Sequence, residues 1–383
     1  MRFAEYVNPG ILAKAQADGY VEEKISPCGN FALYDYTRSA MFEGVWNDAT
    51  LKCRGIVVDR NSDLIVAMCL PKFFNLGEGA SHHLKQYKEC IDNNIPFVAT
   101  EKMDGSFGNV WFDKYQQKWR CSTRGSFESD QALWATEWLS LRDIEPTLFG
   151  MYNNFIVEII YPENRVVVDY GDVAELVLLT GYDSNLVELD YAQCNFVHTL
   201  LDMAIVHVHN FSSIDEVVSI CETLDGNHEG FVLRFENGFR TKIKGLQYCN
   251  LHRIISGLST KAVWENIDYI NYEIKKEWLM NVPEEFRPEI EAFGKQLMDS
   301  MYEELMMTDA AFMLSTQLAI DIYGGAFTKK NYVVDILQKK FPKAIHSKVL
   351  LAYGGKTDQL RELVWKEHQP EFKKMTVVGE DEC

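Results

Sequence analysis

The spacing of apolar residues changes about two thirds of the way along the chain. In the first 250 residues, short segments rich in β-branched and aromatic residues recur, which is typical of strands. They are GIVVD, SFGNVWF, NFIVEII, ELVLLTGYD, GFVLRF and FRTKIK. Amphipathic stretches such as SDQALWATEWLSL lie between them and predict helices. The pattern predicts a mixed α+β domain with antiparallel sheets.

From about residue 251, apolar residues recur every three or four positions, which is the period of a helix. The clearest segments are KAVWENIDYINYEIKKEWL, EIEAFGKQLMDSMYEELMM and NYVVDILQKKF, and Pro and Gly turn signals separate them. We therefore expect an α+β domain over residues 1–250, followed by an all-α C-terminal domain over residues 251–383.

The segment EGFVLRFENGFRTKIKG, residues 229–245, predicts a β-hairpin. The pair Asn237–Gly238 separates two alternating runs, which is a strong signal for a two-residue loop. With that loop, Leu233 opposes Lys242 and Phe231 opposes Lys244. The hairpin thus fixes which side chains share a face.

In that register, Glu229, Lys242 and Lys244 project from one face, because opposed residues and alternate residues share a face. The same face would also carry the apolar side chains of Phe231, Leu233 and Phe235. Ammonium groups mixed with apolar groups indicate the wall of a pocket for an anion such as phosphate. The alternative is that the lysines lie at the rim of a core, with their apolar stems packed on it.

The composition is that of an ordinary soluble protein, with 47% hydrophobic and 25% charged residues. Nine cysteines without a C-x-x-C pair fit a reduced compartment and argue against a structural zinc site. The sequence shows neither an apolar run of membrane-spanning length nor a signal-peptide pattern. These features predict a cytoplasmic protein that does not bind a membrane.

The net charge of −18 argues against a nucleic-acid partner, but the charge is unevenly distributed. Residues 325–375 contain eleven Lys or Arg against five Asp or Glu. This basic tract is a candidate surface for a sugar-phosphate backbone. A solvated helix face is the alternative interpretation.

Several polar residues stand in short motifs at strand ends or inside apolar strands. They are Arg54 in CRGIVVD, Lys72 and Phe74 in LPKFFNLGE, Lys102, Asp104 and Gly105 in EKMDGS, Arg124 in CSTRGSFESDQA, and Glu158 in NFIVEII. An unpaired carboxylate inside an apolar strand would be costly, so Glu158 calls for a partner or a function. Each motif is weak alone, whereas their order and spacing are specific.

The series resembles the covalent nucleotidyltransferase superfamily of ATP-dependent ligases and mRNA-capping enzymes. Within it, the sequence is similar to the phage-type RNA ligase 1 family, which repairs cleaved tRNA. The resemblance covers nearly all of residues 30–250 and rests on CRGI, KFFNL, K-x-DGS, F-x-VE, EGF and K-I-K in the family's order. It implies an ATP-grasp-like ligase domain over residues 1–250. Arg124 departs from the pattern, since the best-studied members carry lysine there.

The resemblance implies that Lys102 attacks the α-phosphorus of ATP and forms a lysyl-adenylate. A free lysine has a pKa near 10.4, so only about one in 2,500 is deprotonated at neutral pH. Neighbouring cations and partial burial lower such a pKa, and Lys242, Lys244 and Arg54 are the candidates. The same charges would neutralise the triphosphate.

The remaining roles are also those that the resemblance implies. Glu158 and Gly105 would face the ribose, and Glu229 would serve a magnesium ion, with manganese as the alternative metal. The expected phosphate contacts are Arg54, Lys72, Arg124, Lys242 and Lys244. Phe74 and Tyr248 would line the nucleoside or the RNA end, or belong to the core. Asp104 would orient Lys102, contact the metal or only form the turn.

We therefore predict a monomeric ATP-dependent RNA ligase that joins 5′-phosphate and 3′-hydroxyl ends of single-stranded RNA or cleaved tRNA. The C-terminal domain would recognise the RNA. A DNA ligase or a capping-type enzyme would share the first domain, but both usually append an all-β OB-fold. A non-catalytic RNA-end binder is the other alternative, and the intact set of lysines with Glu229 argues against it. The GGKT sequence at 354–357 lacks the context of a P-loop.

Overall fold

The computed structural model describes residues 1–142, 144–280, 282 and 286–373. The chain forms two compact units, Met1–Asn250 and Leu251–Cys383. The first is α+β with mostly antiparallel sheets and the second is mainly helical, so the predicted fold class is confirmed.

Three sheets organise the first unit. Their strands are β1 (Val21–Ile25), β2 (Phe31–Tyr36), β3 (Arg54–Asp59), β4 (Leu64–Ala67), β5 (Phe74–Asn75), β6 (Phe97–Glu101), β7 (Ser106–Asp113), β8 (Lys118–Thr123), β9 (Tyr152–Ile160), β10 (Glu175–Asp183), β11 (Ala204–Ile205), β12 (Val208–His209), β13 (Gly230–Phe235) and β14 (Arg240–Lys244). The strand orders are β1-β2-β3-β4 in the first sheet, β11-β10-β9-β7-β8 in the second and β12-β6-β13-β14-β5 in the third. Among the strands of the described residues, only the pairs β10–β11 and β14–β5 are parallel.

Helices connect these strands and cover the sheets. They are α1 (Phe3–Tyr6), α2 (Pro9–Ala17), α3 (Arg38–Phe42), α4 (Asp48–Lys52), α5 (Ser81–Asp92), α6 (Asp130–Ser140), α7 (Tyr191–Leu201) and α8 (Ile214–Thr223). Their starts follow the sequence: Ser129 accepts the Ala132 N–H at the start of α6, and Asp190 forms a capping box with Gln193 at the start of α7. The largest core cluster of the unit packs α6 and α7 against the second sheet.

The hairpin of β13 and β14 has a loop of three residues, so the predicted register is wrong by one. The Phe235 N–H donates to the Phe239 carbonyl, and Gly238 has a φ of +85°. Val232 therefore opposes Lys242, and Gly230 opposes Lys244. A one-residue shift exchanges the two faces of a strand. The apolar partners expected beside the lysines instead face the core, and they are Phe231, Leu233 and Phe235.

The second unit is built on a 37-residue helix. Its elements are α9 (Leu246–Gly257), which contains the division between the units, α10 (Thr260–Glu265), β15 (Ile267–Asp268), β16 (Glu273–Ile274), α11 (Lys276–Leu279), α12 (Arg287–Tyr323), α13 (Lys329–Asn331), a π-helical stretch (Tyr332–Leu337), α14 (Gln338–Lys340), α15 (His346–Tyr353) and α16 (Thr357–Glu367). The core of this unit packs α10, α12 and α16 together.

One segment of the second unit departs from the all-α prediction. The helical period of KAVWENIDYINYEIKKEWL is interrupted by a β-hairpin, β15–β16. Asp268 Oδ1 accepts the N–H groups of Ile270 and Asn271, which favours a turn over a helix. Tyr272 has a positive φ of 57°, which ends the helical conformation.

Among the described residues, the stretch Arg287–Ala326 is long and apolar enough to cross a membrane by length and composition alone. Core helices of soluble proteins meet the same criterion. A cytoplasmic location without membrane binding therefore stays a prediction.

Candidate active site

A cavity of about 490 Å³ lies between the second and third sheets of the first unit. Six of the residues singled out in the sequence line it: Arg54, Lys72, Lys102, Gly105, Glu158 and Lys242. They come from distant parts of the chain: Arg54 is on β3 of the first sheet, Lys72 precedes β5, and the others belong to the second and third sheets or adjoin their strands. The other six do not line it: Phe74, Asp104, Arg124, Glu229, Lys244 and Tyr248.

Lys102 follows the last residue of β6 and extends its pairing with β13. Its N–H donates to the Gly230 carbonyl at 2.8 Å, which fixes the backbone. Its Nζ atom lies 2.8 Å from Glu229 Oε2, and its side chain is 21% exposed. The amine is thus held by a carboxylate and still reaches the cavity.

Glu229 is buried and binds two ammonium groups. Its second carboxylate oxygen lies 2.8 Å from Lys244 Nζ. Gly230 makes this placement feasible: its φ is +135°, and a Cβ there would lie 2.1 Å from the Ile243 carbonyl oxygen. Because this conformation breaks the alternation of the strand, Glu229 reaches the lysine face although the odd-numbered residues after it face the core.

The Lys242 side chain is half-buried among other cations. Burial lowers its pKa to about 7, and the charges of Lys102 and Lys244 add to the effect. Burial also lowers the pKa of Lys72 below its usual value. A cluster of this kind is poised to bind an anion, because each phosphate charge relieves the repulsion.

Glu158 lies at the opposite wall, on β9. The Gly105 N–H donates to its Oε1 at 3.1 Å. Burial raises the pKa of Glu158 to about 7, and the nearby Lys102 charge opposes that rise. A Cβ on Gly105 would lie 2.5 Å from the Ile159 carbonyl oxygen, so only glycine fits this approach.

Asp104 and Tyr248 are buried away from the cavity. Asp104 Oδ2 accepts the N–H groups of Val167 and Val168, each at 2.8 Å, and Oδ1 accepts the Tyr248 hydroxyl at 2.7 Å. The Tyr248 ring lies 5.0 Å from Lys244 Nζ. Since Tyr248 is only 2% exposed, it offers no free surface for a nucleoside. This pair anchors the turn after Lys102 and does not line the cavity.

Phe74 is also buried, and it contacts Lys72 instead of the cavity. The Lys72 Nζ atom lies 5.3–5.7 Å from the ring centroids of Tyr36, Trp46 and Phe74. Three aromatic faces around one ammonium are attractive and fix its position.

Arg124 is held by partners behind the cavity wall. Its Nε atom lies 3.0 Å from Asp35 Oδ2, and one terminal nitrogen donates to the Tyr36 hydroxyl at 2.8 Å. Burial raises the pKa of Asp35 to about 7, and the Arg124 charge opposes that rise. In this arrangement Arg124 stabilises the wall that carries Lys72.

The sequence interpretation missed several cavity residues. Phe73 and Phe107 lie 5.8 and 5.2 Å from the Arg54 guanidinium, and both line the cavity. Phe73 directly precedes Phe74, so the KFF motif was the signal; Phe74 itself is buried, which is the alternative that the sequence left open. Thr180, Arg234 and Arg240 also line the cavity. The corrected hairpin register would have found the two arginines.

The described residues do not fit a preformed metal site. Among them, no group of three or more His, Cys, Asp or Glu side chains could hold an ion. Both oxygens of Glu229 are paired with lysines, and Glu158 accepts a backbone hydrogen bond. We therefore assign no catalytic step to a protein-held metal.

The sheets of the first unit hold a cavity lined by several cations, and comparison with known families assigns the chain. The model of the RNA ligase family typified by phage T4 RNA ligase 1 matches residues 52–248, just over half of the 383-residue chain. The chain belongs to this RNA ligase family, and it is an enzyme of the ligase class.

Individual relatives are distant. A putative ATP-dependent DNA ligase from Aquifex aeolicus is 17% identical, with a TM-score of 0.46. The match covers 91% of this chain and 88% of the ligase chain. An archaeal ATP-dependent RNA ligase is 14% identical, with a TM-score of 0.46. The match covers 80% of this chain and 81% of the archaeal ligase chain. An uncharacterised protein, ORF64 of Ostreid herpesvirus 1 (isolate France), is 25% identical over 154 residues, which are 40% of this chain and 38% of that protein. These likenesses are too low to add to the family assignment.

Proposed function

We propose that this protein is an ATP-dependent RNA ligase that acts through a lysyl-AMP intermediate on Lys102. The observation that carries the proposal is the Lys102 amine, which reaches a cavity lined by Arg54, Lys72 and Lys242. A triphosphate bound there would place its α-phosphorus beside the amine. The cations would stabilise the charge that develops on the departing pyrophosphate.

In the first step, the Lys102 nitrogen forms a bond to the α-phosphorus, and the bond to the bridging oxygen of pyrophosphate breaks. The attacking amine must first lose a proton. Glu229 Oε2, 2.8 Å away, is positioned to accept it. Lys244, on the other oxygen of Glu229, keeps that carboxylate in place.

AMP then passes to the 5′-phosphate of an RNA end, and a 3′-hydroxyl displaces AMP from the activated phosphate. Positioning and electrostatic stabilisation would supply much of the acceleration. Magnesium or manganese is expected to enter with the nucleotide phosphates, which would supply most of its ligands.

The second unit is proposed to contact RNA through its basic tract. Exposed lysines of the described part are Lys329, Lys330, Lys339, Lys340, Lys343, Lys356, Lys366 and Lys373. Lys348 is excluded from this role because it is buried and paired with Glu304 and Glu367. Lys374 lies outside the described residues.

The test is self-labelling with α-³²P-ATP and magnesium or manganese, followed by denaturing gel electrophoresis. The wild-type protein should retain label, and Lys102→Ala should retain none. Lys85→Ala is the matched control, because Lys85 is exposed on α5 away from the cavity. Label on Lys102→Ala, or no label on the wild type, would refute the proposal.

Substrate choice separates the remaining alternatives. A 5′-phosphorylated RNA oligonucleotide should give circles or multimers, and a cleaved tRNA should be resealed. A comparable yield from nicked duplex DNA would favour a DNA ligase. Self-labelling without any joining would favour a capping-type enzyme, and neither activity would favour a non-catalytic RNA-end binder. Sedimentation tests the expected monomer.

A further inference from the structure

The segment that follows β9, residues 162–171, contacts both parts of the chain that carry Lys102 and Glu229. It consists of a 3₁₀ turn, Pro162–Asn164, and the irregular chain after it. We call this segment the strap. It lies wholly within the described part of the chain, and none of its residues lines the cavity. Its contacts therefore act on the site from behind.

One attachment of the strap is to the turn after Lys102. The Asp104 N–H donates to the Tyr170 hydroxyl at 2.9 Å. The Ser106 hydroxyl donates to Asn164 Oδ1 at 2.9 Å. Two backbone N–H groups of the strap also donate to Asp104 Oδ2. Because the strap holds this turn at several atoms, the turn cannot move unless the strap moves with it.

The other attachment is to the loop before Glu229. The Asp169 N–H donates to Asn227 Oδ1 at 2.7 Å, and Asn227 Nδ2 donates back to the Asp169 carbonyl at 3.3 Å. The asparagine amide thus exchanges two hydrogen bonds with the backbone, as two residues of an antiparallel pair do. Both Asp169 and Asn227 are exposed. Asn227 stands two residues before Glu229, and Asp104 stands two residues after Lys102.

The strap continues a connection that the third sheet leaves off. The ladder between β6 and β13 ends with the bond from the Lys102 N–H to the Gly230 carbonyl. Beyond it, both chains leave the sheet, and the strap lies where a neighbouring strand would, bonded to Asp104 and to Asn227. The distance of 2.8 Å between Lys102 Nζ and Glu229 Oε2 depends on these backbone positions. A misplacement of about 1 Å can slow a reaction about 100-fold.

We propose that the strap sets the spacing between the Lys102 amine and the Glu229 carboxylate, and that Asn227 and Tyr170 are positioning residues for self-adenylylation. Neither side chain lines the cavity, so both act through the strap and not on ATP. The effect on the reaction rests on the proposed function. The effect of the strap on the two segments can be measured without any reaction.

The test uses Asn227→Ala and Tyr170→Phe, each of which removes one attachment. Asn93→Ala is the matched control, because Asn93 is also exposed and its side chain also bonds a backbone carbonyl, that of Glu89 on α5. Self-labelling should slow about 10- to 100-fold in both strap variants and stay unchanged in the control. Binding of α,β-methylene ATP, which cannot transfer AMP, should stay close to the wild-type value, because no cavity contact is lost.

Joining of a pre-adenylylated RNA end separates positioning from general damage, because that step needs no attack by Lys102. Both strap variants should join this substrate at close to the wild-type rate. The double variant should label about as slowly as the slower single variant, since both changes release the same spacing. Joining that slows in proportion to labelling would overturn the inference. A loss in the double variant equal to the product of the two single losses would do so too.

Hydrogen exchange of the free protein tests the strap without any chemistry. In Asn227→Ala, backbone N–H groups should exchange faster in residues 101–106 as well as in residues 225–230, because the strap joins the two segments. Faster exchange in residues 225–230 alone would contradict the inference.

The two proposals fail separately. Absence of label on wild-type Lys102 would refute the lysyl-AMP mechanism, and hydrogen exchange would still decide whether the strap couples the two segments. Labelling of Lys102 at the wild-type rate in both strap variants would overturn the positioning role and leave the mechanism standing.

Discussion

At the residue scale, the chemistry of the site depends on ammonium groups held close together. Lys242 shows the consequence most clearly, because burial and its cationic neighbours lower its pKa to about 7. A lysine with this pKa loses its charge at mildly alkaline pH, and with it the attraction for phosphate. Lys102 and Lys244 share the compensating carboxylate of Glu229. Lys242 is thus the group through which pH would regulate nucleotide binding.

We predict that nucleotide binding by the wild type weakens above pH 7. An anion raises the pKa of Lys242 again, so binding takes up a proton once the free lysine is neutral. Between pH 6.5 and 8.5 this effect is worth up to about 20-fold in affinity. Lys242→Arg should lack it, because arginine stays charged. The measurement is the dissociation constant of α,β-methylene ATP against pH.

Lys242→Arg also serves as the control. The phosphates of the nucleotide titrate in the same way with both proteins, so their effect cancels when the two are compared. The quantity of interest is the ratio of the two dissociation constants at each pH. A ratio that does not change from pH 6.5 to 8.5 would contradict the low pKa of Lys242.

At the element scale, the β13–β14 hairpin carries the site. Val232, Arg234, Arg240 and Lys242 line the cavity, and on the other face Phe231 and Leu233 fill the core beside α8. Gly230 is the exception to alternation that brings Glu229 to Lys102. The hairpin therefore links the stability of the core directly to the position of the Lys102 amine.

We predict that Gly230→Ala is severely destabilising. Its Cβ would meet backbone 2.1 Å away, and its φ of +135° is strained for any other residue. The free energy of unfolding should fall by about 3 kcal/mol or more. Gly238→Ala is the matched control in the same hairpin: its φ is also positive, but no atom lies within 4 Å. It should cost about 1 kcal/mol. Urea denaturation compares the two, and equal losses would contradict the role of Gly230.

At the scale of the whole molecule, the chain has two units. The first holds the cavity, and the second is the helical unit that we propose contacts RNA. The family match ends at residue 248, two residues before the division at Asn250. All cavity residues belong to the first unit. The second unit has its own core, with Ile290 and Val364 fully buried, and a buried ion network around Lys348. Each unit thus contains the packing expected of a domain.

We predict that deleting residues 260–383 spares self-labelling, because the nucleotide site lies in the first unit. RNA choice should change, with loss of any preference for cleaved tRNA over a generic single strand. The measurement is the joining yield on both substrates alongside the labelling assay. If the shortened protein joins every RNA as well as the full chain, the second unit does not recognise RNA.

Much of the fold could be predicted, because the period of apolar residues directly reflects strands and helices. Lys102, Arg54 and Glu158 could be found because strand-end and in-strand polar residues form recognisable motifs. The hairpin register could not be predicted, since Asn-Gly is compatible with loops of two and three residues. The sequence left open whether Asp104 and Tyr248 are buried, and it could not decide because their partners are distant along the chain.

The sequence by itself determined the family, the order of the reactive groups and the change from mixed to helical structure. Those properties depend on residue type and local spacing. Only the tertiary structure decided that Phe73 lines the cavity and Phe74 does not, that Glu229 joins two lysines, and that Glu188 joins Thr180 to two arginines. Such outcomes depend on cross-strand register and on packing between sheets, which are set by contacts among residues far apart in the chain.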